Sequence, residues 1–193
     1  GGNWQISPVG FIYRGGGYLA GFAVTPAGRV YLAYNQGFAM ASTADNRKLF
    51  IASCQTPGNC LDLNTWASFS VGALDEGDEG AALAAAGEEL VLASTAEFDL
   101  NARVCTANCG SAAGWSAATV IDTSMAIRQT INPDTGSACP GTSTSAAWWP
   151  NRPAVGVSTS GVVIGHNPFA IVACPGNPNP SRLPTIGRIS STF

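Results

Sequence analysis

Charge is what this chain has least of. Asp, Glu, Lys and Arg make up 11% of its 193 residues, less than half the usual share of about a quarter. Lysine occurs once, at Lys48, against eight scattered arginines, and the net charge is -3. Without a basic patch there is no electrostatic footprint for nucleic acid or an anionic membrane surface, so neither is expected as a partner. Histidine also occurs once, at His166. No stretch approaches the roughly 18 consecutive apolar residues of a membrane-spanning helix, and no Gly-x-Ser-x-Gly elbow or phosphate-cradling loop occurs. The chain opens on Gly1-Gly2-Asn3-Trp4 with neither Met nor an apolar leader, which reads as a mature or excised form.

Glycine and proline are plentiful, at 23 and 12, and the hydrophobic share is 46%. Both residues end helices, so a packed globule of many short strands and turns is expected. The six cysteines include two close pairs, Cys54/Cys60 and Cys105/Cys109. Metal is the competing reading. Zinc sites want two short Cys pairs or added histidines at ligand spacing, and here the spacings are five and three intervening residues with His166 as the only imidazole. Local disulfides are therefore expected, leaving Cys139 and Cys174 to pair by elimination. Such bonds point to secretion, the periplasm or a cell surface.

Superposing the short Cys loops uncovers a repeat: Asn59-Cys60-x5-Trp66-x4-Val71 against Asn108-Cys109-x5-Trp115-x4-Val120, a period of 49 residues. Ahead of each lies an apolar run, a Gly turn and a second β-rich run. The turns fall at Gly28, before Val30-Tyr31-Leu32-Ala33, at Gly87, before Leu90-Val91-Leu92, and at Gly161, before Val162-Val163-Ile164. Four strands in 40 to 50 residues is the period of a propeller blade. The fold expected is all-β and β-propeller-like, with about three four-stranded blades at 18–72, 79–122 and 152–191 and an insertion at 123–151. Trp4-x4-Val9 repeats only the last part of the unit, so 4–13 reads as one extra strand completing another blade. A β-sandwich is the alternative, since it too shows regularly spaced short strands. Trp66 and Trp115 are expected to pack between blades.

Propellers close with four to eight blades, and closure removes the sheet edges that otherwise pair with other chains. Three blades are too few, so a second protein chain or a copy of this one is expected to complete the ring.

The units resemble secreted propellers with sialidase-type repeats. Leu61-Asp62-Leu63-Asn64-Thr65-Trp66 is similar to the Asp-box of that family, with an Asp-to-Trp spacing of four where the motif has five. The Cys-loop units also resemble repeats in exported proteins of bacteria such as myxobacteria, a resemblance that implies no particular activity. Phe11-Ile12-Tyr13-Arg14 is similar to the sialidase segment whose Arg begins a carboxylate-binding triad, with Gly15-Gly16-Gly17 in place of Ile-Pro. On that resemblance Arg14 is an alternative catalytic residue.

Two other segments carry candidate chemistry. The acidic loop Asp75-Glu76-Gly77-Asp78-Glu79-Gly80 joins two units and offers oxygen ligands, so Asp75, Glu76 and Asp78 are candidate Ca²⁺ ligands, weighed against a solvated turn. No other cofactor is implied. In the insertion, Trp148 and Trp149 beside Asn151 and Arg152 combine aromatic area with orienting polar groups, the make-up of a glycan- or peptide-binding surface, weighed against simple packing. His166 reads as a structural or loop histidine. The function expected is a secreted, non-catalytic module that binds a glycan or a protein. A sialidase-like glycoside hydrolase half and a structural surface subunit are the alternatives.

Overall fold

The computed structural model describes residues 19–35, 48–56, 58–73, 81–96, 99–123, 125–129, 144–172, 181–183 and 188–192. Among the described residues the chain is all-β, with thirteen strands, two single-turn 3-10 segments and no α-helix. No helix there is long and apolar enough to cross a membrane, which says nothing of strand-built barrels.

The strands form three antiparallel sheets. The first is a meander of β1 (Leu19–Val24), β2 (Val30–Asn35), β3 (Lys48–Cys54) and β4 (Trp66–Ala73). The second repeats that order with β5 (Ala81–Ala86), β6 (Glu89–Ala96), β7 (Asp99–Cys105) and β8 (Thr119–Asp122). The third contains β9 (Met125–Gln129), β10 (Thr144–Ser158), β11 (Gly161–Val172), β12 (Ser181–Leu183) and β13 (Arg188–Thr192). Its order is β12-β11-β10-β9, with β13 also paired to β11.

Each first hairpin turns on its glycine, and all three glycines have positive φ: 77° at Gly28, 68° at Gly87 and 134° at Gly161. In the β1–β2 turn, Pro26 presets φ and the Gly28 N–H donates to Thr25 O at 2.8 Å, which is a proline-led β-turn followed by a left-handed residue. In the two-residue β5–β6 turn only Gly87 is left-handed, the II′ pattern.

The sheets stack face to face, with the second in the middle. Leu90 and Leu92 of β6 enter one core with Tyr31, Leu49 and Ile51 of the first sheet. Val91 and Ala93, on the other face of the same strand, enter a second core with Val162 and Ile164 of the third sheet. That is why β6 reads as an unbroken apolar run instead of an alternating one. Truncating one of these buried leucines to Ala is worth about 2–5 kcal/mol. The first strands of the hairpins sit side by side, β5 touching both β1 and β10. The approach is closest at Gly21, where a Cβ would lie 2.5 Å from Leu83 N and 2.7 Å from Leu83 Cβ, so only glycine fits.

Three features of the sheets go beyond the repeat. The last strand of the second unit does not start at its tryptophan. Trp115 makes only an isolated bridge to Cys105, and β8 begins at Thr119. The interruption follows from Ser116, whose Oγ takes the Val104 N–H at 3.0 Å and whose carbonyl accepts from the Arg103 guanidinium at 3.0 Å. Second, β11 runs unbroken through Pro168, because Pro168 stands opposite Pro150, a cross-strand pair in which neither residue has an N–H to place. Third, residues 125–129 and 144–151 of the expected insertion are strand residues of the third sheet.

Candidate binding surface at the disulfide loops

Both short Cys pairs form the expected disulfides, Cys54–Cys60 and Cys105–Cys109, each with Cα atoms 5.6 Å apart. The two loops share one hydrogen-bond plan at the 49-residue offset. Asp62 N–H donates to Asn59 O and Ser111 N–H to Asn108 O, both at 3.1 Å. Thr65 N–H donates to Asp62 O and Gly114 N–H to Ser111 O, again both at 3.1 Å. The 3-10 turns Leu63–Thr65 and Ala112–Gly114 fall at the same offset. Each tryptophan then closes its own loop, Trp66 Nε1 donating to Cys60 O at 2.8 Å and Trp115 Nε1 to Cys109 O at 3.3 Å. A side chain six residues on caps the carbonyl of the second cysteine, which is the physical reason for the Cys-x5-Trp spacing.

The loops differ by two residues, and the difference decides one position. In the longer first loop Thr65 fills the bend, its Oγ1 donating toward Asn59 O (3.1 Å) and Asp62 O (2.6 Å). In the shorter second loop Gly114 stands there, and a Cβ would press on Asn108 O and lie 2.5 Å from Ala107 O. The left-handed residue also moves, from Gly58 (φ 81°) to Asn108 (φ 56°), and asparagine is among the few non-glycine residues that accept it.

Stacking the first two sheets brings these loops together. Gln55, just after Cys54, lies against the bare Cα of Gly110, whose Cβ would meet the Gln55 side chain at 3.0 Å. Tyr31 OH reaches Gln55 Oε1 at 3.5 Å. Between the loops is an open depression of about 360 Å³ lined by Gln55, Asn108, Gly110, Ser111, Ala113 and Gly114. Its lining contains amides, a hydroxyl, backbone and the Ala113 methyl, and no titratable group. It can therefore exchange hydrogen bonds with a neutral polar ligand but not protons. Beside it the hairpin tips are tied together, Glu88 accepting from Ala27 N (2.7 Å) and Arg29 Nη1 (3.3 Å).

His166 has a partner that its own stretch of sequence does not disclose. On β11 its Nε2 lies 3.1 Å from Asp122 Oδ2 on β8, and Asp122 Oδ1 accepts the Thr123 N–H at 3.0 Å. A histidine–carboxylate pair is part of an acyl-transfer triad. This imidazole is 0% exposed and cannot touch a substrate, so the pair ties the second sheet to the third. Arg103 of β7 is wedged against Gly72 of β4, and burial lowers its pKa from the usual value.

Trp115 is buried between the first and second sheets, as its spacing predicts, whereas Trp66 is half-buried. Trp148, Trp149, Asn151 and Arg152 follow one another in β10, Trp148 opposite Ala170 and Met125, Trp149 opposite Phe169, and Asn151 opposite Asn167. Their side chains lie outside the description. Arg14, the acidic loop with Asp75, Glu76 and Asp78, and both Cys139 and Cys174 fall outside the described residues. Among the described residues no three His, Cys, Asp or Glu side chains gather where a metal ion would sit. The Cys loops are legible in the sequence, whereas Gln55, Asn108 and Ser111 as one surface are not. Their signal is the position of Gln55 beside the first cysteine, and it acquires meaning only once two units are stacked.

Compared with family models, curated proteins and solved structures, the chain matches none.

Proposed function

We propose that the chain is a segment of a β-propeller, acting as a secreted, non-catalytic module that binds a glycan or an exposed protein segment and completes its ring with a second chain. A layered β-sandwich accommodates the same sheets. The propeller is favoured because repeat-equivalent residues face the same way in successive sheets while the first strands of the hairpins lie side by side. The two disulfides suit an oxidising compartment.

The observation that carries the binding reading is the depression between the disulfide loops, half polar, uncharged and open. Sugar hydroxyls and peptide amides are the neutral groups that pair with Gln55, Asn108 and Ser111. The test is binding of the intact chain to glycan and peptide arrays, with Gln55→Ala as the paired variant. A ligand whose affinity falls at least tenfold in Gln55→Ala supports the reading. Blank arrays favour a structural subunit, and turnover of a fluorogenic glycoside panel contradicts a non-catalytic role.

A further inference from the structure

The three sheets share a polarity along the stack. On the inner hairpin strand of each, the residues facing the following sheet are small, and at least one bulky residue faces the preceding sheet, in β5 Leu83 between Ala81 and Ala85. In β5, Leu83 faces the first sheet and Ala82 and Ala84 the third; in β10, Val155 faces the second sheet, and Ala154 and Gly156 point away from it. β1 follows suit, with Gly21 and Ala23 toward the second sheet and Phe22 and Val24 outward. The junction between the first and second sheets works as knob into socket, Leu83 seated on Gly21.

Cross-strand register equates the outward face of the first sheet with the buried face of the second. Val24, Val30, Cys54 and Trp66 form one row, as Ala85, Leu90, Cys105 and Trp115 do. In the next row Phe22 and Leu32 match Leu83 and Leu92. Leu83 is 7% exposed where Phe22 is 57% exposed. The first sheet thus presents the face that its repeat uses against a preceding sheet, among the described residues with none there. At the other end of the stack the third sheet presents sockets: Ala154 and Gly156 are exposed, with Val163 and Gly165 half-buried beside them. A Cβ on Gly156 would meet nothing closer than 3.9 Å. These rows on both end faces are uncharged.

We infer that the open face of the first sheet docks on the open face of the third sheet of a second copy, so that two copies close into a ring of six sheets, with Phe22 of one seated on Ala154 of the other. The inference rests on reading the sheets as successive blades. Size favours closure over an open string. Four strands about 4.8 Å apart and six residues long at about 3.4 Å each give a face of roughly 400 Å². One such contact buries about 800 Å², short of the roughly 1,200–2,000 Å² of a stable interface, whereas a closed pair makes two. Both are the same heterologous contact, related by the two-fold axis of the pair.

Light scattering on the purified chain tests this. The expected mass is twice 19.7 kDa, falling to one copy in Phe22→Arg and in Ala154→Trp at concentrations where the parent stays paired, an increase in dissociation of at least 100-fold. Ala154→Trp lies on an exposed strand position and keeps the test alive should Phe22→Arg not fold, with circular dichroism confirming the fold of each variant. A parent chain of one copy at 100 µM concentration overturns the inference and leaves the face to another chain. Pairing unaffected by both variants overturns it equally. A single copy that binds an array ligand removes this inference and keeps the binding reading. A pair that binds nothing does the reverse.

Discussion

The first two sheets are built from one sequence pattern and live in different surroundings. Their disulfide loops share two backbone hydrogen bonds and the indole bond that closes each loop, at an offset of 49 residues. Yet Leu90, Leu92 and Trp115 are buried in the second sheet, while Val30, Leu32 and Trp66 at the matching positions of the first are half-buried. Local structure follows from the repeat, and burial follows from what is stacked on it. Among the described residues the second sheet is interior to the stack and the first lies at its end.

The largest expected effect separates the two faces. Leu92→Ala should lower the unfolding free energy by about 2–5 kcal/mol, and Leu32→Ala, measured on the single copy, by about 1 kcal/mol or less, since its side chain is only partly removed from water. Denaturant unfolding with disulfides intact provides the check, and equal losses would erase the distinction. A middle-sized effect separates the loops. Gly114→Ala forces a methyl onto the carbonyls of Ala107 and Asn108 and should cost about 1–3 kcal/mol. Thr65→Ala in the first loop loses only hydroxyl bonds, about 1 kcal/mol; the same unfolding measurements rank the two. The smallest effect is kinetic. Cys60 is half-buried while both Cys105 and Cys109 are buried, so mild reductant should open Cys54–Cys60 first. Timed alkylation read by mass spectrometry would show the order, and simultaneous opening would contradict it.

The sequence announced much of what is decided within a dozen residues: the Gly turns, both disulfides and the Cys-x5-Trp spacing that the indole hydrogen bond explains. It was silent where the cause lies in another sheet. Asp122 stands 44 residues from His166, and neither neighbourhood hints at the pair. Gln55 becomes a site residue only because Gly110 of the next unit leaves room for it.

The polarity of the stack sets a bulky residue such as Leu83 toward the sheet before and small ones toward the sheet after. Its most direct test is a cross-link in trans, with Phe22→Cys on one copy and Ala154→Cys on the other, mixed under mild oxidation. A disulfide-bonded pair is expected from the mixture and little from either variant alone. Equal cross-linking of Phe22→Cys with itself, or none in the mixture, would contradict it.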